Sequence, residues 1–114
     1  MAFLLFFNRT MYLTNYVNNL QTKINDITTE KLEMSETIAQ YTSDISDLGG
    51  DKNSPSVQKL MKLKADLEVL EKKLDAKLAK YNAQLQAAQT ELQAANNALQ
   101  QSTQRDFSPK YFAA

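Results

Sequence analysis

The sequence predicts an all-α fold, a long antiparallel two-helix coiled-coil hairpin, and three observations carry that prediction. Apolar residues recur in alternating steps of four and three along two separate stretches. A single cluster, Gly49-Gly50-Asp51-Lys52-Asn53-Ser54-Pro55, divides those stretches. The chain holds only two glycines and two prolines, and Gly49, Gly50, Pro55 and Pro109 all lie outside the repeats. No period-two alternation bounded by turns competes with the helical pattern.

The first arm, about residues 3–48, carries Leu13, Val17, Leu20, Ile24, Ile27, Lys31, Met34, Ile38, Tyr41, Ile45 and Leu48, with Lys31 alone polar. The turn, residues 49–55, is punctuated at both ends. Gly49 and Gly50 suit the left-handed conformation that closes a helix, whereas Ser54 suits an N-cap with Pro55 at the first helical position. The second arm, about residues 56–104, carries Leu60, Leu63, Leu67, Leu70, Leu74, Leu78, Tyr81, Leu85, Ala88, Leu92, Ala95 and Leu99. Its two consecutive steps of four, Leu70 to Leu74 to Leu78, predict a stutter that locally unwinds the supercoil. Residues 105–114 form a tail beyond the arm, broken by Ser108-Pro109. If Leu48 faces Val57, then Phe6 faces Leu99 and Phe3 faces Ser102. At about 1.5 Å per residue each arm spans roughly 70 Å.

Composition removes classes of chemistry. The chain has no His, Cys or Trp, so zinc, thiol and triad mechanisms lack their parts, and a two-helix rod encloses no pocket in which to shift a carboxylate or lysine pKa. The expectation is a non-enzyme with no cofactor and no metal. Asp44, Asp47 and Asp51 gather near the turn but lack the spacing of a calcium loop. Asn8-Arg9-Thr10 has the form of a glycosylation acceptor, a triplet common by chance. The run Met1 to Phe7 lacks a basic region before it and a small-residue cleavage site after it, and is too short to cross a bilayer. The expected localisation is therefore cytoplasmic, or export by a signal-independent system.

Formal net charge is zero, with 13 basic and 13 acidic residues. Residues 1–50 hold three bases against six acids, a net of −3, and residues 51–114 hold ten against seven, a net of +3. This favours antiparallel pairing modestly, because exposed ion pairs contribute only about 0.2–1 kcal/mol each. The lysines between Lys59 and Lys80 alternate with Asp66, Glu68, Glu71 and Asp75, the pattern of a solvated helix face; no nucleic-acid partner is expected. Lys31, placed opposite Leu74 with Glu71 and Asp75 beside it, has two readings, a plain lysine that snorkels from the seam, which is favoured, and one whose contact with those carboxylates fixes the register of the arms.

The informative asymmetry runs along the hairpin. Residues 10–22 carry no charge, and residues 81–104 carry only Glu91. Eight of the ten aromatic residues sit at the chain ends: Phe3, Phe6, Phe7, Tyr12 and Tyr16 at one, Phe107, Tyr111 and Phe112 at the other. A hairpin brings these ends together. Either the rings plug the open end, or they pack against neighbouring subunits; a two-helix rod has little interior to hide so many, which favours the second. Met61, Ala65, Val69, Ala76, Ala83, Ala87, Ala94 and Ala98 widen the apolar face of the second arm.

These features predict a structural subunit that partners itself, assembling into a filament or another homo-oligomer. A cysteine-free helical hairpin with the turn Asp51-Lys52-Asn53-Ser54-Pro55-Ser56 and interaction-prone ends resembles the needle-filament subunits of type III secretion systems. That resemblance implies helical polymerisation and export by a dedicated machine. Two alternatives stand beside it. One is a coiled-coil chaperone or adaptor, similar to prefoldin in outline but without its strand segments. The other is an interfacial membrane protein that inserts Phe3, Leu4, Leu5, Phe6 and Phe7, with only Arg9 near to attract anionic lipid.

Overall fold

The computed structural model describes residues 2–106. Helix α1 spans Ala2–Asp47 and helix α2 spans Pro55–Asp106, and no strand occurs among the described residues. The chain is a helical hairpin. It divides into two compact units, one formed by residues 1–23 with 81–114, the other by residues 24–80.

The turn is built from backbone hydrogen bonds. Gly50 N–H donates to the Ile45 carbonyl at 3.0 Å and Gly49 N–H to the Ser46 carbonyl at 3.0 Å, the paired bonds of a Schellman motif with Leu48 at the C-cap. Gly49 has φ 83° and Gly50 φ 66°, the left-handed region where a β-carbon is strained. Asn53 N–H then donates to Asp51 Oδ1 at 3.0 Å and Ser54 N–H to the Asp51 carbonyl at 3.0 Å, closing an Asx turn into α2. Pro55 is the first helical residue, where its missing N–H costs no helical bond, and Gln58 N–H makes the first helical bond to the Ser54 carbonyl at 3.0 Å. No basic residue occupies the last turn of α1, so the glycine motif rather than charge ends it.

In the unit of residues 24–80, Ile27 and Leu74 are buried, and Met34, Ile38, Tyr41, Ile45, Leu60, Leu67 and Leu78 are half-buried. Val57 is fully enclosed, at 0% exposure. Lys31 Nζ pairs with Asp75 Oδ1, and Ser35 Oγ donates to Glu71 Oε2 at 3.2 Å.

The predicted stutter is absent. Burial along α2 follows Val57, Leu60, Lys64, Leu67, Glu71, Leu74, Leu78, Tyr81, Leu85, Ala88, Leu92, Ala95, Leu99 and Ser102, alternating threes and fours without a break. Leu63 and Leu70, expected in the seam, are 38% and 43% exposed, and Lys64 and Glu71 take those positions, half-buried. The reason is geometric. Helix α1 keeps a strict heptad, and the 3.5-residue period of the supercoil holds the facing stripe of α2 to the same frame. A long charged side chain can fill a seam position with its aliphatic stem, and Lys64 and Glu71 are half-buried there, the Glu71 carboxylate accepting from Ser35 of the facing helix. Leu48 is also displaced from the seam, at 51% exposure, because α1 stops one residue earlier.

Candidate self-association surface

The unit of residues 1–23 with 81–114 carries the aromatic open end. Its core is small: Val17, Leu20 and Ala88 are buried together, with Tyr81, Leu85 and Leu92 packed against them. Leu13, Ala95 and Ser102 are buried beyond that cluster, and Phe3, Phe6, Thr10 and Leu99 are half-buried. The buried positions Ala88, Ala95 and Ser102 are small, which lets the two backbones approach closely but removes little apolar surface from water. The Oγ1 of Thr10 is buried there with no hydrogen-bond partner among the described residues.

Outside this seam the first four turns of α1 are apolar on nearly every side. Leu4 is 55% exposed, Leu5 71%, Phe7 41%, Met11 51%, Tyr12 61% and Tyr16 37%. Helical geometry separates these into two ridges flanking the seam: Leu4, Phe7 and Met11 at steps of three and four on one side, Leu5, Tyr12 and Tyr16 on the other. The rings are ordered against each other. Phe3 stacks on Phe7 with centroids 5.9 Å apart, and Tyr12 lies parallel to Tyr16 at 6.3 Å with only 4° between their planes.

Arg9 is the single base on this part of α1. Its guanidinium pairs with Glu91 at 2.9 Å and lies 5.8 Å from the Tyr12 ring centroid, so one cation is held both by the acid of the facing arm and by an aromatic face. Lys23 Nζ lies 5.5 Å from the Tyr81 centroid in the same unit. An apolar groove of about 630 Å³ opens between Phe3 and Phe7 on α1 and Leu99, Gln100, Thr103 and Gln104 on α2.

Phe3, Phe6, Phe7, Tyr12 and Tyr16 thus meet in one unit, whereas Phe107, Tyr111 and Phe112 lie outside the described residues. Leu4, Leu5 and Met11 belong to the exposed surface as well. Their signal in the sequence is that they leave the first sixteen residues of α1 with no polar side beyond scattered Asn and Thr and the one charge of Arg9. On the second arm Met61 and Val69 are 42% and 54% exposed; of the alanines, Ala98 alone is half-buried and the others are exposed.

The acidic residues near the turn have ordinary duties: Asp44 Oδ1 accepts from Gln40 Nε2 at 2.9 Å, and Asp51 Oδ1 accepts from the Asn53 amide. Among the described residues no group of three acidic side chains is placed to hold a metal ion, and no helix is long and apolar enough to cross a membrane. No family model, no curated protein and no solved structure matches the chain.

Proposed function

We propose that this chain is a non-enzymatic structural subunit that assembles with copies of itself through the open end of the hairpin. One observation carries the reading: six large apolar side chains, Leu4, Leu5, Phe7, Met11, Tyr12 and Tyr16, stand between 37% and 71% exposed on four consecutive turns of one helix. A surface that apolar, with one ion pair as its charged relief, is stabilised by burial against protein. The ridges flank the seam on both sides, so one hairpin end offers two different apolar contacts. Heterologous contacts of that kind propagate into a filament or close into a ring. The resemblance to needle-filament subunits favours the filament, with export by a dedicated machine as part of the same reading.

The test is sedimentation across a wide concentration range together with negative-stain microscopy, on the full chain and on a Leu4→Ser/Leu5→Ser/Met11→Ser variant. All three side chains are outside the seam, so helicity stays unchanged in the variant. The expected result is concentration-dependent large particles from the native chain and a shift of at least tenfold in the assembly midpoint in the variant, since three exposed apolar anchors contribute on the order of 1 kcal/mol each. A native chain that remains a single-chain species at every concentration overturns the proposal. Co-sedimentation with anionic vesicles and no particles in their absence assigns the same ridges to a lipid surface instead.

A further inference from the structure

We infer that the apolar groove on one flank of the open end receives Tyr12 and Tyr16 from the other flank of a second copy. The inference rests on the self-assembly reading and adds to it the contact that joins one copy to the next.

The open-end unit has two unlike flanks. On α1, Phe7 follows the inward residue Phe6 by one position, whereas Arg9 and Tyr16 precede the inward residues Thr10 and Val17 by one. On α2, Gln100 and Thr103 follow Leu99 and Ser102 by one, whereas Glu91 precedes Leu92. The groove between Phe3, Phe7, Leu99, Gln100, Thr103 and Gln104 marks the first flank. The Arg9–Glu91 pair at 2.9 Å marks the second, and its guanidinium lies 5.8 Å from the Tyr12 centroid. Tyr12 and Tyr16 therefore stand on the side away from the groove, so a copy does not seat its own pair.

The two flanks match in chemistry and in spacing. The groove has ring and leucine walls, a volume of about 630 Å³, and a rim of two side-chain amides and a hydroxyl. Tyrosine is its counterpart, since the ring suits the walls and the phenol both donates to an amide carbonyl and accepts from an amide N–H. Tyr12 is 61% and Tyr16 37% exposed, and their rings lie parallel with centroids 6.3 Å apart. Gln100 and Gln104 are four residues apart, about 6 Å along the helix axis. A neighbour's α1 laid along α2 thus brings one phenol to each amide.

Charge points to a copy as the occupant. The rim continues along α2 through Asn96, Gln93, Gln89 and Gln86 at steps of three and four, all exposed and all neutral, so this flank offers nothing to a charged ligand. On the opposite flank Arg9 is already paired with Glu91 inside its own copy, and seating the tyrosines buries no unpaired charge. A contact between unlike flanks leaves every copy with one groove and one tyrosine pair to offer, so it repeats from copy to copy.

Two double variants divide the contact. Tyr12→Glu/Tyr16→Glu removes the rings and keeps the groove, whereas Phe7→Lys/Gln100→Lys spoils the groove and keeps the rings. All four side chains lie outside the seam, and circular dichroism checks that each variant keeps the native helicity. Native mass spectrometry and sedimentation then follow each full-length variant, and their equimolar mixture, above the assembly midpoint of the native chain. The expected result is single chains from each variant alone and a one-to-one heterodimer, nothing larger, from the mixture, which holds one intact groove and one intact tyrosine pair. Large particles from either variant alone overturn the inference, and so does a mixture without the heterodimer. Tyr12→Phe/Tyr16→Phe keeps both rings and loses two hydrogen bonds, so the assembly midpoint rises about tenfold; an unchanged midpoint overturns the pairing with the amides. Native particles with no heterodimer end this inference alone, whereas a native chain that never assembles ends the self-assembly reading with it.

Discussion

Leu70 and Leu74 are four residues apart on one helix and carry the same side chain, yet the structure assigns them opposite weights. Leu74 is 8% exposed and Leu70 43%. Truncating Leu74 to Ala removes nearly all of a buried leucine from a seam that cannot fully collapse, a loss of about 3 kcal/mol within the range for such substitutions. Leu70 buries little more than half of its surface at the edge, where water refills the space, so Leu70→Ala costs about 1 kcal/mol. At about 4–8 °C per kcal/mol for a domain near this size, the melting temperature falls by roughly 12–24 °C in the first variant and 4–8 °C in the second. Circular dichroism melts at the lowest workable concentration, where intermolecular contacts contribute least, give both numbers. Equal losses would mean that Leu70 packs in the seam as Leu74 does, and the unbroken heptad frame through Lys64 and Glu71 would then be wrong.

Other substitutions probe single features. Gly49 has φ 83°, and a β-carbon at that position would meet nothing within 4 Å, so its requirement is torsional: Gly49→Ala lowers stability by about 1 kcal/mol, Gly49→Asn by less and Gly49→Val by more, an order that chemical denaturation checks. Thr10→Val replaces a buried hydroxyl that lacks a partner with a methyl of the same shape, and raises stability by about 1 kcal/mol; a lower denaturation midpoint shows that the hydroxyl is satisfied. The Lys31–Asp75 pair has side chains 29% and 50% exposed, so it contributes no more than about 1 kcal/mol, and Lys31→Leu outweighs its loss through burial in the seam. The melting temperature of Lys31→Leu therefore rises, and a fall in it would refute this account. Fluorescence transfer between probes at the open end then shows whether the arms keep one register, which is the separate test of Lys31 as a register device.

The hairpin was legible because three independent signals agree at different ranges: the heptad from Leu13 to Ile45, the diglycine that closes α1, and Ser54-Pro55 that opens α2. The frame of α2 was not legible from the leucines alone. Leu63 and Leu70 outrank Lys64 and Glu71 in hydrophobicity, and a residue-by-residue reading picks the more apolar neighbour at each step. Period is set by the partner helix, and a long charged side chain can occupy a seam position by its stem. The same reading assigned Lys31 two acceptors, whereas Asp75 takes the ammonium and Glu71 accepts from Ser35. At the open end the rings were legible as a cluster and Leu4 and Leu5 as part of an exposed apolar run, but Met11 was not, because only the position of α2 decides which sides of α1 stay uncovered.

Energetics tie the association surface to the local seam. Where residues 1–23 meet 81–106, the buried side chains of α2 are Ala88, Ala95 and Ser102, and a buried alanine removes far less apolar area than a leucine. Close backbone approach gains dispersion contacts, but two helices with such a seam leave the neighbouring positions of α1 in water, and those positions are Leu4, Leu5, Phe7, Met11, Tyr12 and Tyr16. In the unit of residues 24–80 the seam uses Leu60, Leu67, Leu74 and Leu78, and the surface is laced with charges such as Asp75 and Glu68 that keep it solvated. Each unit leaves large apolar side chains in water, among them Leu32, Met61 and Val69 in residues 24–80; what sets the open end apart is that its six lie within four turns of one helix with Arg9 as the single charge among them. On the proposed reading, that concentration on one helix is where a neighbouring copy supplies the missing burial, and stability then rises with protein concentration.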